Sequence, residues 1–125
     1  MEKATYIIPI SPITKKNSQQ ILTNRRTGKP FIAVSKAYRQ YERDAANFIK
    51  CPLKPIDYPV NVECVFYMPT HRKVDLNNLL EAATDLLVCC GVLADDNSSI
   101  VESHDGSRVR YDPVNPRTEI IISSR

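Results

Sequence analysis

The stretch from Lys73 to Asp96, KVDLNNLLEAATDLLVCCGVLADD, constrains this chain most, because it sets one acidic residue just before a helix and an acidic pair just after it. Leu76, Leu79, Leu80, Ala83, Leu86, Leu87 and Cys90 recur at three- and four-residue steps, which makes an apolar stripe that must enter a core. Asn78 with Glu81 three residues later predicts a capping box, and Gly91 stands where a left-handed residue would stop the helix. Roughly thirteen helical residues at about 1.5 Å each part the two ends by about 20 Å. Asp75 therefore meets Asp95 and Asp96 only if the chain doubles back after Gly91. A strand at Ile100-Val101, laid beside the one that ends near Met68, would bring this about, and that folding-back is the expectation.

Carboxylates gathered closely raise one another's pKa and are costly to hold together unless a cation compensates them. From Val74 to Ser107 there is no Lys or Arg, yet the stretch carries Asp75, Glu81, Asp85, Asp95, Asp96, Glu102 and Asp105. Oxygen ligands of this kind suit a hard divalent ion such as Mg²⁺, completed by water and substrate phosphate. A solvated acidic helix face accounts for the same spacing, since Asn78, Glu81 and Asp85 lie opposite the leucines. On the residues alone both readings stand.

VDLNNLLEAATDLLVCCGVLADD, followed by SSIVESHDGSRVRYDPVNPRTEIII, resembles the RusA family of Holliday junction resolvases, whose pattern is D-x-D-N-L-x-K/E-A, an apolar helix, Gly and a D-D pair. PISPITKKNSQ near the N-terminus is similar to the family's opening strand and loop, so the likeness covers nearly the whole chain. It implies an α+β homodimer that cuts four-way DNA junctions by Mg²⁺-dependent phosphodiester hydrolysis, with Mn²⁺ as an alternative ion. Carried over by position, the essential aspartates are Asp75, Asp95 and Asp96. The second acid of the first motif is Asn77 here, a neutral and weaker ligand, and Glu81 stands where many relatives have Lys. Either Glu81 restores the missing negative charge near the metal, or the site is impaired and the protein binds branched DNA without cutting it.

At 125 residues and 42% apolar composition, one domain spanning residues 1–125 is expected. The net charge of +3 hides an asymmetry: residues 1–50 contain ten Lys/Arg against three Asp/Glu, while the acids concentrate after residue 74. Basic flanks around an acidic metal site suit a nuclease, whose cations hold the backbone of its DNA substrate. No apolar run approaches a membrane span and MEKATYIIPISP lacks a signal peptide's long apolar stretch, so a cytoplasmic protein is expected. Cys51, Cys64, Cys89 and Cys90 have no C-x-x-C spacing, which argues against a zinc site and for reduced thiols in the core.

In chain order, Ala4–Ile10 reads as an edge strand ended by Pro9. The polar segment from Ser11 to Pro30 is long for a small domain, and its Lys15, Lys16, Asn17, Arg25, Arg26 and Lys29 suit phosphate contacts, with a hairpin near Thr27-Gly28. Phe31–Val34 reads as a short strand, and Ser35 caps a helix running to about Lys50. Val60–Met68 is a central strand that leads through Arg72 and Lys73, the best-placed cations for the reacting phosphate, to Asp75. Ser98–His104 and Arg108–Tyr111 predict an antiparallel hairpin about Asp105-Gly106, and Thr118–Ile122 closes the sheet. The fold expected is α+β, with a mixed or antiparallel sheet of about four to six strands and two main helices.

Overall fold

Val60–Met68 alternates residues that suit burial with residues that do not, and the structure, a computed structural model, makes it the strand on which the sheet is built. It describes residues 3–14 and 19–124. In chain order the elements are strands β1 (Ala4–Ile8), β2 (Gln19–Thr23) and β3 (Pro30–Val34), helix α1 (Lys36–Ala46), strand β4 (Val60–Met68), helix α2 (Leu76–Cys89), and strands β5 (Val101–Ser103), β6 (Arg108–Tyr111) and β7 (Arg117–Ser124). The architecture is α+β: a mixed five-stranded sheet, two helices, and a separate two-stranded ribbon of β2 and β3.

One edge of β4 pairs antiparallel with β7, which pairs antiparallel with β1 on its other side. The opposite edge of β4 takes both β5 and β6, each parallel to it. Val60, Val62, Cys64 and Phe66 of β4 and Thr118, Ile120 and Ile122 of β7 turn the same way and are buried. Ala45 and Ile49 from α1 and its following turn join Leu79, Ala83, Leu86 and Leu87 of α2 in the core with them, so the apolar stripe read from the sequence is the buried face of α2. Burial of this kind supplies roughly 1.5–3 kcal/mol for each large aliphatic side chain, before the entropy of ordering it is subtracted.

Local signals account for the ends of the helices. Ser35 caps α1, its Oγ accepting from the Tyr38 amide at 3.1 Å. That helix stops at Ala46 rather than near Lys50, because Phe48 and Ile49 donate to carbonyls only three residues back and tighten the chain into a turn. At the end of α2, Gly91 takes φ 75°, and the amides of Cys90, Gly91 and Val92 fold back onto Leu86, Val88 and Leu87. The predicted capping box at Asn78 does not form the start of this helix. Asp75 is the N-cap instead, with extended backbone and a side chain that accepts from the Asn77 amide. An Asp one residue before an apolar run competes better for the cap than an Asn already inside it.

The expected hairpin at Asp105-Gly106 is not there. β5 and β6 lie end to end along one edge of β4, Val101 opposite Val60 and Arg108 opposite Val65. Asn61 explains the preference. It is buried, its Oδ1 accepts from the Asp105 amide (2.7 Å) and the Ser103 hydroxyl (2.6 Å), and its Nδ2 donates to the Asp105 carbonyl (3.1 Å). Tied to β4 at that point, residues 104–107 step along the edge without reversing. Gly106, at φ 88°, passes so close to the Glu63 side chain that a Cβ there would collide with it. Nor does Thr118–Ile122 close the sheet: as β7 it lies inside, between β1 and β4.

Candidate functional site

β4 ends at Met68 and hands the chain to the segment 69–74, which leads into α2. This segment separates two clefts. One, of about 440 Å³, lies between it and residues 11–14; the other, of about 290 Å³, lies between it and Val109, Arg110 and Tyr111 of β6. Arg72 and Lys73 line both clefts and are exposed, and Arg110 adds a third exposed cation on the β6 side. Among the described residues these three make no ion pair. The His71 ring stacks on Tyr111 with centroids 3.6 Å apart, and Asp112 donates its amide to the Met68 carbonyl at 2.9 Å. Both contacts hold β6 against the root of the segment.

Val74 lines both clefts, and the next residue is Asp75. Its Oδ1 accepts from the Asn77 amide at 2.9 Å, and the residue is exposed. Its second oxygen has no partner among the described residues. Asn77 and Glu81 follow at a four-residue step, so they occupy one side of the helix, and both are exposed.

The acidic pair lies at the other end of α2. Buried Val92 and Leu93 run beside Ile56, with the Ile56 amide donating to Val92 and the Ala94 amide to Ile56, both at 2.9 Å. Four residues after Asp96, the Ile100 carbonyl accepts from the Val60 amide at 2.8 Å. Asp95 and Asp96 are therefore tethered on one side to Ile56, just before β4, and on the other to Val60, its first residue. Asp95 closes the small turn itself: its Oδ1 accepts from the Asp96 amide at 2.7 Å and its Oδ2 from Asn97 Nδ2 at 3.2 Å. The Asp96 amide, then the side chains of Asp96 and Asn97, hold its carboxyl below the ordinary value, against a small opposing effect of desolvation.

The expected folding-back is thereby corrected. Val101 pairs with Val60 at the start of β4, and Met68 at its end pairs with Tyr111. Fourteen residues of α2, about 21 Å of helix, stand between Asp75 and the segment that carries Asp95 and Asp96. Among the described residues no three His, Cys, Asp or Glu side chains come together in one chain as a metal-holding group. The candidate ligands thus fall into two groups, Asp75 with Asn77 and Glu81 at the N-cap and first two turns of α2, Asp95 with Asp96 beyond its other end.

Of the cations singled out from the sequence, Arg72 and Lys73 flank Asp75, whereas Arg25, Arg26 and Lys29 are exposed on the turn joining β2 to β3. Lys15, Lys16 and Asn17 lie outside the described residues. Arg110, His71 and Tyr111 escaped the sequence reading, because only the parallel pairing of β6 with the end of β4 brings them beside Arg72. His104 is structural: its Nδ1 lies 2.8 Å from the Val62 carbonyl. The four cysteines are free thiols, but only Cys64 is fully buried, and Cys51 and Cys89 are exposed. No described helix is long and apolar enough to cross a membrane.

A family model described as endodeoxyribonuclease RusA matches residues 9–123. No curated protein matches the chain.

Proposed function

Because the chain belongs to the RusA endodeoxyribonuclease family, a family of Holliday junction resolving nucleases, we propose that it is a Mg²⁺-dependent homodimer that cuts four-way DNA junctions by paired phosphodiester hydrolysis in the cytoplasm. One observation carries the reading: Arg72 and Lys73 line two clefts, Arg110 lines one of them, and the chain passes from the shared wall at Val74 straight into the exposed Asp75 at a helix N-terminus. Unpaired cations beside a carboxylate with a free oxygen suit a phosphodiester whose charge must be held next to an anionic ligand set.

The donor chemistry fits Mg²⁺, since Asp75, Asp95, Asp96, Glu81 and Asn77 offer only oxygen at their side-chain acceptors and all five are exposed. Their arrangement in one chain supplies half of such a site at each end of α2. A two-fold axis across the helix would set the Asp75 end of one copy against the Asp95-Asp96 end of the other, and would do so twice. Two complete sites then arise only in the dimer, which matches the two cuts a four-way junction requires. When bound, Mg²⁺ supplies Lewis-acid polarisation of the phosphate and a more acidic water. In this reading Arg72, Lys73 and Arg110 bind and orient the phosphate, the hydrogen bond from the Asn77 amide holds the Asp75 carboxylate in place, and Glu81 restores the negative charge that Asn77 lacks.

Asn77 favours a second reading, a protein that binds branched DNA and no longer cuts it. A synthetic four-way junction incubated with Mg²⁺ or with EDTA decides. Symmetric nicking that needs Mg²⁺ supports the nuclease, a gel shift without nicking in Mg²⁺ supports the binding protein, and neither would overturn both.

A further inference from the structure

The β2–β3 ribbon stands apart from the five-stranded sheet, its strands paired only with each other. Its tip is stiff. The Asn24 amide donates to the Lys29 carbonyl and the Gly28 amide to the Asn24 carbonyl, while Asn24 Oδ1 accepts from Arg26 N at 2.9 Å, and Gly28 takes φ 70°. Arg25, Arg26 and Lys29 are exposed on this turn, and no acidic residue occurs in the chain between Glu2 and Glu42 to neutralise them. Behind the tip, Leu22 and Phe31 face each other directly across the ribbon and are 41% and 45% exposed. Ile21 is 75% exposed. Among the described residues this half-exposed apolar cross-strand pair, directly behind three cations, is not part of the hydrophobic core.

Resting on the reading of the protein as a junction enzyme, we propose that this ribbon is its branch-opening element: Leu22 and Phe31 stack against bases unpaired at the crossover, while Arg25, Arg26 and Lys29 grip the phosphates on either side. A two-stranded ribbon has the width that a DNA groove admits. Apolar side chains bury the most surface on DNA where bases leave the stack, and an aromatic face such as that of Phe31 accepts any base. Intact duplex offers the cations their phosphates but offers the apolar pair no base face, only scattered thymine methyls. The branch point is the one place in the substrate that satisfies both halves of the ribbon. Charge argues against a second ribbon as the partner, since two such tips would repel.

The test uses a four-way junction with 2-aminopurine at the crossover, in EDTA so that strands stay intact, with linear duplex of the same sequence as control. The unaltered protein should raise the junction's fluorescence several-fold and leave the duplex unchanged. Leu22→Ser/Phe31→Ser should abolish the rise even when the protein saturates the junction, with an unchanged thermal melt showing that the fold survives. Arg25→Gln/Arg26→Gln/Lys29→Gln should weaken junction binding at least tenfold. Junction binding without any fluorescence rise by the unaltered protein, or a full rise by Leu22→Ser/Phe31→Ser, would overturn the ribbon's role and leave the nuclease reading standing. Conversion of dimer to monomer by the Leu22→Ser/Phe31→Ser change, measured by light scattering, would assign the ribbon to a second copy and overturn it too. No junction binding at all would overturn both.

Discussion

Val101 lies opposite Val60, the first residue of β4, while Asp75 follows seven residues after its last. This one register keeps the two acidic motifs apart within a chain. β4, the segment 69–74 and α2 run out and back, so the start of α2 is about a helix length from the turn that holds Asp95 and Asp96. Under the proposed function, each active site would take Asp75 from one copy and Asp95-Asp96 from the other.

Asp75 caps α2, a role that can be separated from the catalytic one proposed for it. Asp75→Ala removes the N-cap and should cost about 1 kcal/mol, whereas Asp75→Asn keeps an acceptor for the Asn77 amide and should cost less than about 0.5 kcal/mol. Both should lose junction cleavage. Denaturant unfolding beside a cleavage assay checks this, and Asp75→Asn protein that cuts normally would reduce Asp75 to a cap.

Glu81 and Asn77 form a compensating pair in this account. Glu81→Gln should lower cleavage by about tenfold, the scale on which altered metal-site partners act. Asn77→Asp introduced into that protein should restore the lost rate. Cleavage by Glu81→Gln at the parent rate would show that Glu81 belongs to a solvated helix face.

Arg72, Lys73 and Arg110 should appear in the salt dependence of junction binding. Each phosphate contact contributes about 0.9 to the slope of log affinity against log salt, so neutralising all three to Gln should flatten it by two to three. A slope that does not change would remove the clefts from the DNA path.

Cys64 is buried, and desolvation, with Glu63 adding to it, pushes its thiol up to about 12. A raised pKa favours the neutral form in the folded state, so its contribution to stability is complete below the unfolded thiol's value near 9. It is lost as pH climbs from there through about 12. At pH 8, a thiol reagent should modify exposed Cys51 and Cys89 quickly and Cys64 only after denaturant is added. Rapid modification of all four would contradict the packing of β4.

Much of this fold was legible because it rests on local chemistry. The stripe from Leu76 to Cys90, the Gly91 stop, the Ser35 cap and the alternation in β4 each depend on residues a few positions apart. Apart from the N-cap of α2 and the early end of α1, the misreadings concern pairing over distance. Asp105-Gly106 carries a hairpin signal, and nothing local announces that a buried Asn61, more than forty residues away, will claim both backbone groups of Asp105. The same blindness hid Arg110 and Tyr111, and it made the folding-back of Asp95-Asp96 look natural. The candidate residues could be read from their types, but their distribution over two ends of a helix could not.

Complementation between inactive chains tests the shared site most directly. Asp75→Asn protein and Asp95→Asn/Asp96→Asn protein should each fail to cut a four-way junction. Mixed and allowed to exchange subunits, they should regain about a quarter of the parent's nicking, because half the dimers are mixed and each of these rebuilds one of its two sites. Mixed dimers isolated by two different affinity tags that remain inactive would contradict the account.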